Sequence, residues 1–230
     1  MELIIAIFIL IIILLILAKV YDINIRKLKQ FAEYEETKFN KLTEKYPSNI
    51  EICKYILNKL DNKNVKIEED KNSDTCLYIA PTNKIVIGNV KNSYTRIQTI
   101  AHECLHSVQN RKILLFNFIF SNIYLLYFII TLVLALFNKL PYKMLFFSVM
   151  IILSYVYYFV RSYLENDAMI KAKYLAKEFM EEVQISSTEE INKIVESFDE
   201  LNNMGIKTVN FQLMFETLIK TIIFAIALLI

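Results

Sequence analysis

At 230 residues, with 55% hydrophobic and only 22% charged side chains, the chain is too apolar for an ordinary soluble domain and reads as a membrane protein. Its 26 basic and 24 acidic residues leave a net charge of +2 with no concentrated basic face, so nucleic acid is excluded as a partner. The three cysteines, Cys53, Cys76 and Cys104, form no paired framework and no CxxC, so they suggest neither a disulfide scaffold nor a thiolate zinc site and fit a reducing compartment.

The first apolar run, Leu3 to Ala18, approaches the length that crosses a hydrocarbon core of about 30 Å. Glu2 stands where a secretory signal carries Lys or Arg, and no small-x-small cleavage pattern precedes Lys19, so residues 1 to 18 are expected to be an uncleaved transmembrane anchor. Residues 19 to 112 form the first polar segment. It opens on a charged helix, "INIRKLKQFAEYEETKFNKLTEKY", and a second helix, "SNIEICKYILNKL", with Ser48 as N-cap and Ile52, Tyr55 and Ile56 on its apolar face. Three short β-branched stretches follow, "NVKIEE", "TCLYIA" and "KIVIGN". They predict a small three-stranded sheet with a hairpin at 76 to 88 turning on Pro81-Thr82-Asn83.

The next helix is capped by Asn92 or Ser93. Its apolar residues Ile97, Ile100, Ala101, Cys104, Leu105 and Val108 recur at helical spacing and define a buried stripe. At about 100° per residue, His102, Glu103 and His106 fall on the other side, with the two imidazoles close in angle and the carboxylate beside them. Cys104 belongs to the stripe and reads as a small buried hydrophobe.

Apolar runs at Ile113 to Phe137 and Leu145 to Val160, joined by "NKLPYK", predict a transmembrane hairpin over residues 113 to 160. A polar helical segment covers 161 to 210. The last stretch, 211 to 230, is expected to span the membrane or to lie in its interface, with Glu216 and Lys220 paired at i, i+4 and Lys220 snorkelling. Lys19, Arg26, Lys27, Lys29, Arg111, Lys112, Arg161, Lys171 and Lys173 flank one side of the spans, against Lys139 and Lys143 on the other. Positive residues stay inside, so a multi-pass cell-membrane protein is expected with both polar segments in the cytoplasm. The fold class is thus an α+β membrane protein, mostly helical, with about four transmembrane helices and a three-stranded sheet beside an HExxH helix.

"TIAHECLHSVQ", residues 99 to 109, holds the only two histidines of the chain. HExxH places two imidazoles one turn apart for zinc with a glutamate as general base, although the bare pattern also arises as two surface histidines on an amphipathic helix. A catalytic zinc needs a third protein ligand, and with no further histidine a carboxylate must supply it. "HECLHSVQNRK" has no third histidine, which excludes the metzincin pattern. Glu165 in "YLENDAMIKAKY" is the preferred carboxylate, because the hairpin returns it to the depth of the motif. Asp167 is the rival and Glu181, Glu182, Glu189 and Glu190 are more distant choices.

"AHECLHSVQ" followed after a membrane stretch by "ENDA" resembles the YugP-type membrane-anchored neutral zinc metallopeptidases of bacteria, whose corresponding patterns read like AHExGHAxQ and E-x-D/N-A-S. The arrangement is also similar to HtpX-type membrane peptidases. The resemblance implies a gluzincin-like centre with one Zn2+ held by His102, His106 and Glu165, and Glu103 as catalytic base. Leu105 stands where that family usually has glycine and Met169 where it commonly has serine. The expected function is hydrolysis of peptide bonds in a peptide or membrane-protein substrate at the cytoplasmic surface of the lipid bilayer. A catalytically inactive zinc-binding membrane protein with a scaffolding role is the alternative. An intramembrane protease is disfavoured because "NVKNSYTRIQTI" ahead of the motif is too polar for lipid. Tyrosine or arginine would have to stabilise the oxyanion, and Leu77 to Ala80 or Lys84 to Ile87 offers either an edge for an extended substrate to pair with or a plain structural strand.

Overall fold

The computed structural model describes residues 1 to 21, 24 to 90 and 93 to 230. Seven helices occur among them: α1 (Glu2–Tyr21), α2 (Ile25–Thr43), α3 (Asn49–Lys59), α4 (Arg96–Val108), α5 (Arg111–Leu136), α6 (Lys143–Val183) and α7 (Thr188–Ala227). Three strands lie between α3 and α4, β1 (Lys66–Glu69), β2 (Leu77–Ile79) and β3 (Lys84–Ile87). The chain divides into two compact units, one of residues 1–23, 116–163 and 207–230, the other of residues 24–115 and 164–206.

The first unit is built from α1 and from the long apolar stretches of α5, α6 and α7. All four helices are long and apolar enough to cross a membrane. Their exposed faces carry Ile4, Phe8, Ile12, Ile119, Leu126 and Ile152, the surface that a lipid environment accepts. Inside, Tyr124, Phe147, Met150, Phe224 and Ala225 pack together. A short polar line crosses this packing, with the Tyr124 hydroxyl 3.0 Å from Ser154 Oγ and Ser154 Oγ 3.2 Å from Thr221 Oγ1. It gives hydroxyls in an apolar unit partners on the neighbouring helices.

The second unit holds the sheet and the motif helix. Ser48 caps α3 as expected, in a full capping box with Glu51. Lys84–Ile87 is the central strand, parallel to β1 and antiparallel to β2, so the expected hairpin forms and the sheet order is β1-β3-β2. Gly88 ends β3 where a Cβ would meet the Thr75 carbonyl oxygen at 2.5 Å, a close approach of two main chains that only glycine permits.

The core of this unit gathers Ile52, Cys53 and Ile56 of α3, Ile97, Ile100, Ala101 and Cys104 of α4, and Ile85 and Ile87 of β3, all fully buried. Burial of each such isoleucine contributes about 1.5–3 kcal/mol. On α6, Ala168, Ala172 and Ala176 repeat every fourth residue and are buried, leaving little bulk between this helix and the core. Arg96, at the start of α4, is buried too and donates to the carbonyls of Thr43, Tyr46 and Pro47 and to Asn49 Oδ1 at 2.7 to 3.0 Å.

Several expectations need correction. The N-cap of α4 is Thr95, and Ser93 instead accepts the Thr95 N–H; Asn92 lies outside the described residues. Val108 is 44% exposed, so the buried stripe stops at Leu105. The alternative of two surface histidines on α4 is disfavoured, since His106 is buried, as is Glu103 beside it. Finally, the polar segment after the third apolar run belongs to one 41-residue helix with it, and the segment before the fourth belongs to one 40-residue helix.

Candidate metal centre

His102 and His106 lie on successive turns of α4, which turns both rings the same way. Their planes stand at 90° and their Nε2 atoms meet at 3.0 Å. Glu165 on α6 brings its Oε2 to 3.4 Å from His102 Nε2 and 3.6 Å from His106 Nε2. These three residues form the candidate metal-binding group among the described residues. Their side chains are 11 to 19% exposed.

The spacing of the donors tests whether an ion fits. A tetrahedral zinc with bonds of 2.0–2.2 Å holds its donors about 3.3–3.6 Å apart. The observed triangle of 3.0, 3.4 and 3.6 Å falls close to this. The circle through its corners has a radius of about 1.9 Å, so the three donors could all reach one ion of zinc's size at bonding distance. Two imidazole nitrogens and a carboxylate oxygen are also the donor types of a catalytic zinc with three protein ligands.

Electrostatics favour a cation in the same place. Burial opposes the charged imidazole of His106, but the hydrogen bond and charge of Glu165 and the charge of Glu103 outweigh it and raise its pKa. The site stabilises positive charge. Glu103 behaves in the opposite sense. Its burial raises the carboxyl pKa above the ordinary range, against the lowering pull of His102 and His106.

Glu103 is close enough to His102, His106 and Glu165 to feel the charge of each, and it also meets β2, where a hydrogen bond from the Tyr78 main chain supports its charged form. β2 is an edge strand, whereas Lys84–Ile87 is paired on both sides; an extended ligand therefore has only Leu77–Ile79 of the two stretches to pair with, and Ala80 has turned into a short 3-10 helix. Asp167, the rival ligand, is held elsewhere: its carboxylate accepts from Gln109 Nε2 at 2.9 Å and pairs with Lys171. Glu181 pairs with Lys177, Glu182 with Lys59, and Glu189 with Lys193, while Glu190 accepts from Ser187 at the start of α7. Cys104 is buried with Sγ 3.7 Å from Cys53 Sγ, and that contact and burial push its pKa up, in keeping with an inert core thiol.

Gln109 is the contact that residue-by-residue reading passes over. Its Oε1 lies 2.8 Å from His106 Nδ1. The signal was its i+3 spacing from His106, which puts it over the same helix face just past the helix end. Leu105 is absorbed by the core cluster, so this departure from the resembled pattern is filled space rather than a clash. Set against family models, curated proteins and solved structures, the chain has no match in any of the three comparisons, and the reading of the centre rests on its own geometry.

Proposed function

We propose that the chain is a membrane-bound zinc metallopeptidase that hydrolyses peptide bonds of a peptide or membrane-protein substrate on the cytoplasmic side. The observation that carries this reading is the donor triangle of His102, His106 and Glu165 with Glu103, a buried carboxylate of raised pKa, on the adjacent residue of the same helix. The spelling "AHECLHSVQ" with "ENDA" supports the same class, and so does an edge strand next to Glu103.

When bound, zinc supplies a Lewis acid that polarises an amide carbonyl and brings the pKa of water near neutrality. His102, His106 and Glu165 would hold it. Glu103 takes the proton of the attacking water and delivers it to the leaving amine, and its raised pKa brings this exchange nearer neutral pH. Leu77–Ile79 lines an extended substrate beside Glu103 through main-chain hydrogen bonds.

The test uses purified full-length protein in detergent. We expect about one zinc per chain, loss of zinc in His106→Ala, and cleavage of a peptide library that Glu103→Gln abolishes without releasing zinc. Wild-type protein without stoichiometric metal would overturn the centre. Zinc binding without any cleavage would leave the scaffolding alternative in its place.

A further inference from the structure

Gln109 is the first residue past α4. Its side-chain amide is engaged at both ends. Nε2 lies 2.9 Å from the Leu164 carbonyl oxygen and 2.9 Å from Asp167 Oδ2, while Oε1 lies 2.8 Å from His106 Nδ1. A carbonyl and a carboxylate only accept hydrogen bonds, so the end facing them must be the NH2 group, with both hydrogens used. The end facing His106 is then an oxygen, which also only accepts. The hydrogen between Gln109 and His106 must sit on Nδ1. A flipped amide would set its oxygen against two acceptors and is disfavoured twice over.

We propose that Gln109 is a positioning residue. Held by Asp167 and Leu164, it fixes His106 as the Nδ1–H tautomer, so that Nε2 turns its lone pair to the point shared with His102 Nε2 and Glu165 Oε2. This proposal rests on the metal-centre reading above. Lys171 completes the chain from the outside, its ammonium on Asp167 Oδ1. The order Lys171, Asp167, Gln109, His106 thus has one permitted direction of donors and acceptors, and both α6 residues involved lie within six positions of Glu165. Loss of a partner that orients a ligating histidine costs about 10–100-fold in metal affinity.

The experiment measures zinc affinity of the full-length protein in detergent by competition with a chromophoric chelator, together with the tautomer of the ring. Because the chain has only two histidines, 15N-histidine labelling leaves only two rings to assign. We expect Gln109→Ala to weaken zinc binding about 10–100-fold and, with zinc removed, to lose the clear Nδ1–H signature of His106. Gln109→Glu alone places a carboxylate against Asp167 and Leu164 and should bind zinc poorly as well. Gln109→Glu with Asp167→Asn restores a donor on the far side of the new carboxylate and should recover most of the affinity, a rescue that a merely structural role would not produce.

Unchanged zinc affinity and tautomer in folded Gln109→Ala would overturn the proposal while leaving the centre standing. A double variant no better than Gln109→Glu alone would overturn it too. Wild-type protein that binds no zinc would overturn both readings.

Discussion

Met169 on α6 lies over Gly205 on α7: a Cβ built on Gly205 would stand 3.0 Å from Met169 Cε, the one heavy atom among the described residues within 4 Å of it apart from the surrounding backbone of its own helix. The methionine that replaces a smaller residue of the resembled pattern is therefore housed in space that a glycine leaves open. The contact is with the tip of a flexible side chain. Gly205→Ala should stay within about 1 kcal/mol of wild type, because the gain of roughly 1 kcal/mol in helix propensity offsets a small displacement of Met169. In a Met169→Ala background the same change should be clearly stabilising. Thermal unfolding of the four proteins in detergent closes the cycle, and strict additivity would mean that the two residues do not share this space.

Metal removal should reveal how much of the second unit depends on the centre. Without a cation, Glu103 and Glu165 put two carboxylates near one another in a largely buried site, and Glu165 raises the pKa of Glu103. An ion that binds only the folded state stabilises it by about 2.7 kcal/mol at 100 times Kd. A chelator should therefore lower the melting temperature of wild-type protein, and zinc should restore it. In Glu165→Gln the chelator-dependent shift should shrink sharply. A shift of equal size in that variant would show that the metal binds elsewhere.

Much of this arrangement was legible in local patterns. Ser48 announced a helix start, the turn residues Pro81-Thr82-Asn83 announced the hairpin, and the spacing of His102 and His106 put both rings on one turn pair. Harder to read were contacts between distant parts of the chain. The burial of Glu103 and His106 is set by what packs over the polar side of α4, and nothing local in "HECLH" distinguishes that from a solvated face. The Gln109–Asp167 bond joins residues 58 apart in sequence. The fall in hydropathy near Arg161 marks where the apolar run ends but not where the helix ends: "RSYLENDAMIKAKYLAKEF" contains neither proline nor glycine, and α6 runs straight through it.

Arg96 should be among the least replaceable residues of the second unit. Its guanidinium is buried and donates to three main-chain carbonyls and Asn49 Oδ1 between the end of α2 and the start of α3, with no carboxylate among these acceptors. Arg96→Met would leave four acceptors without their donor, a loss of roughly 3 kcal/mol or more. Arg96→Lys should fare little better, because one ammonium cannot span the fork that reaches all four. Reduced yield of folded protein and a large fall in melting temperature are expected for both. A lysine variant as stable as wild type would show that the fork geometry is unimportant.

The capping boxes of α3 and α7 predict a specific acid sensitivity. Glu51 accepts from the Ser48 hydroxyl and main-chain N–H, and these bonds hold its carboxyl below the ordinary value of 4.5; Glu190 does the same with Ser187. A folded-state pKa below the unfolded one means that the group contributes stability above the unfolded value and loses it as pH falls through the lowered one. Both boxes should therefore be intact at pH 6 and fail progressively below about pH 4.5. Glu51→Gln and Glu190→Gln remove the titrating group but keep an acceptor oxygen at each helix start. The melting temperature of each variant should lie below wild type at pH 6 and converge with it toward pH 3. A gap that stays constant across that range would mean that the carboxylates do not carry the caps.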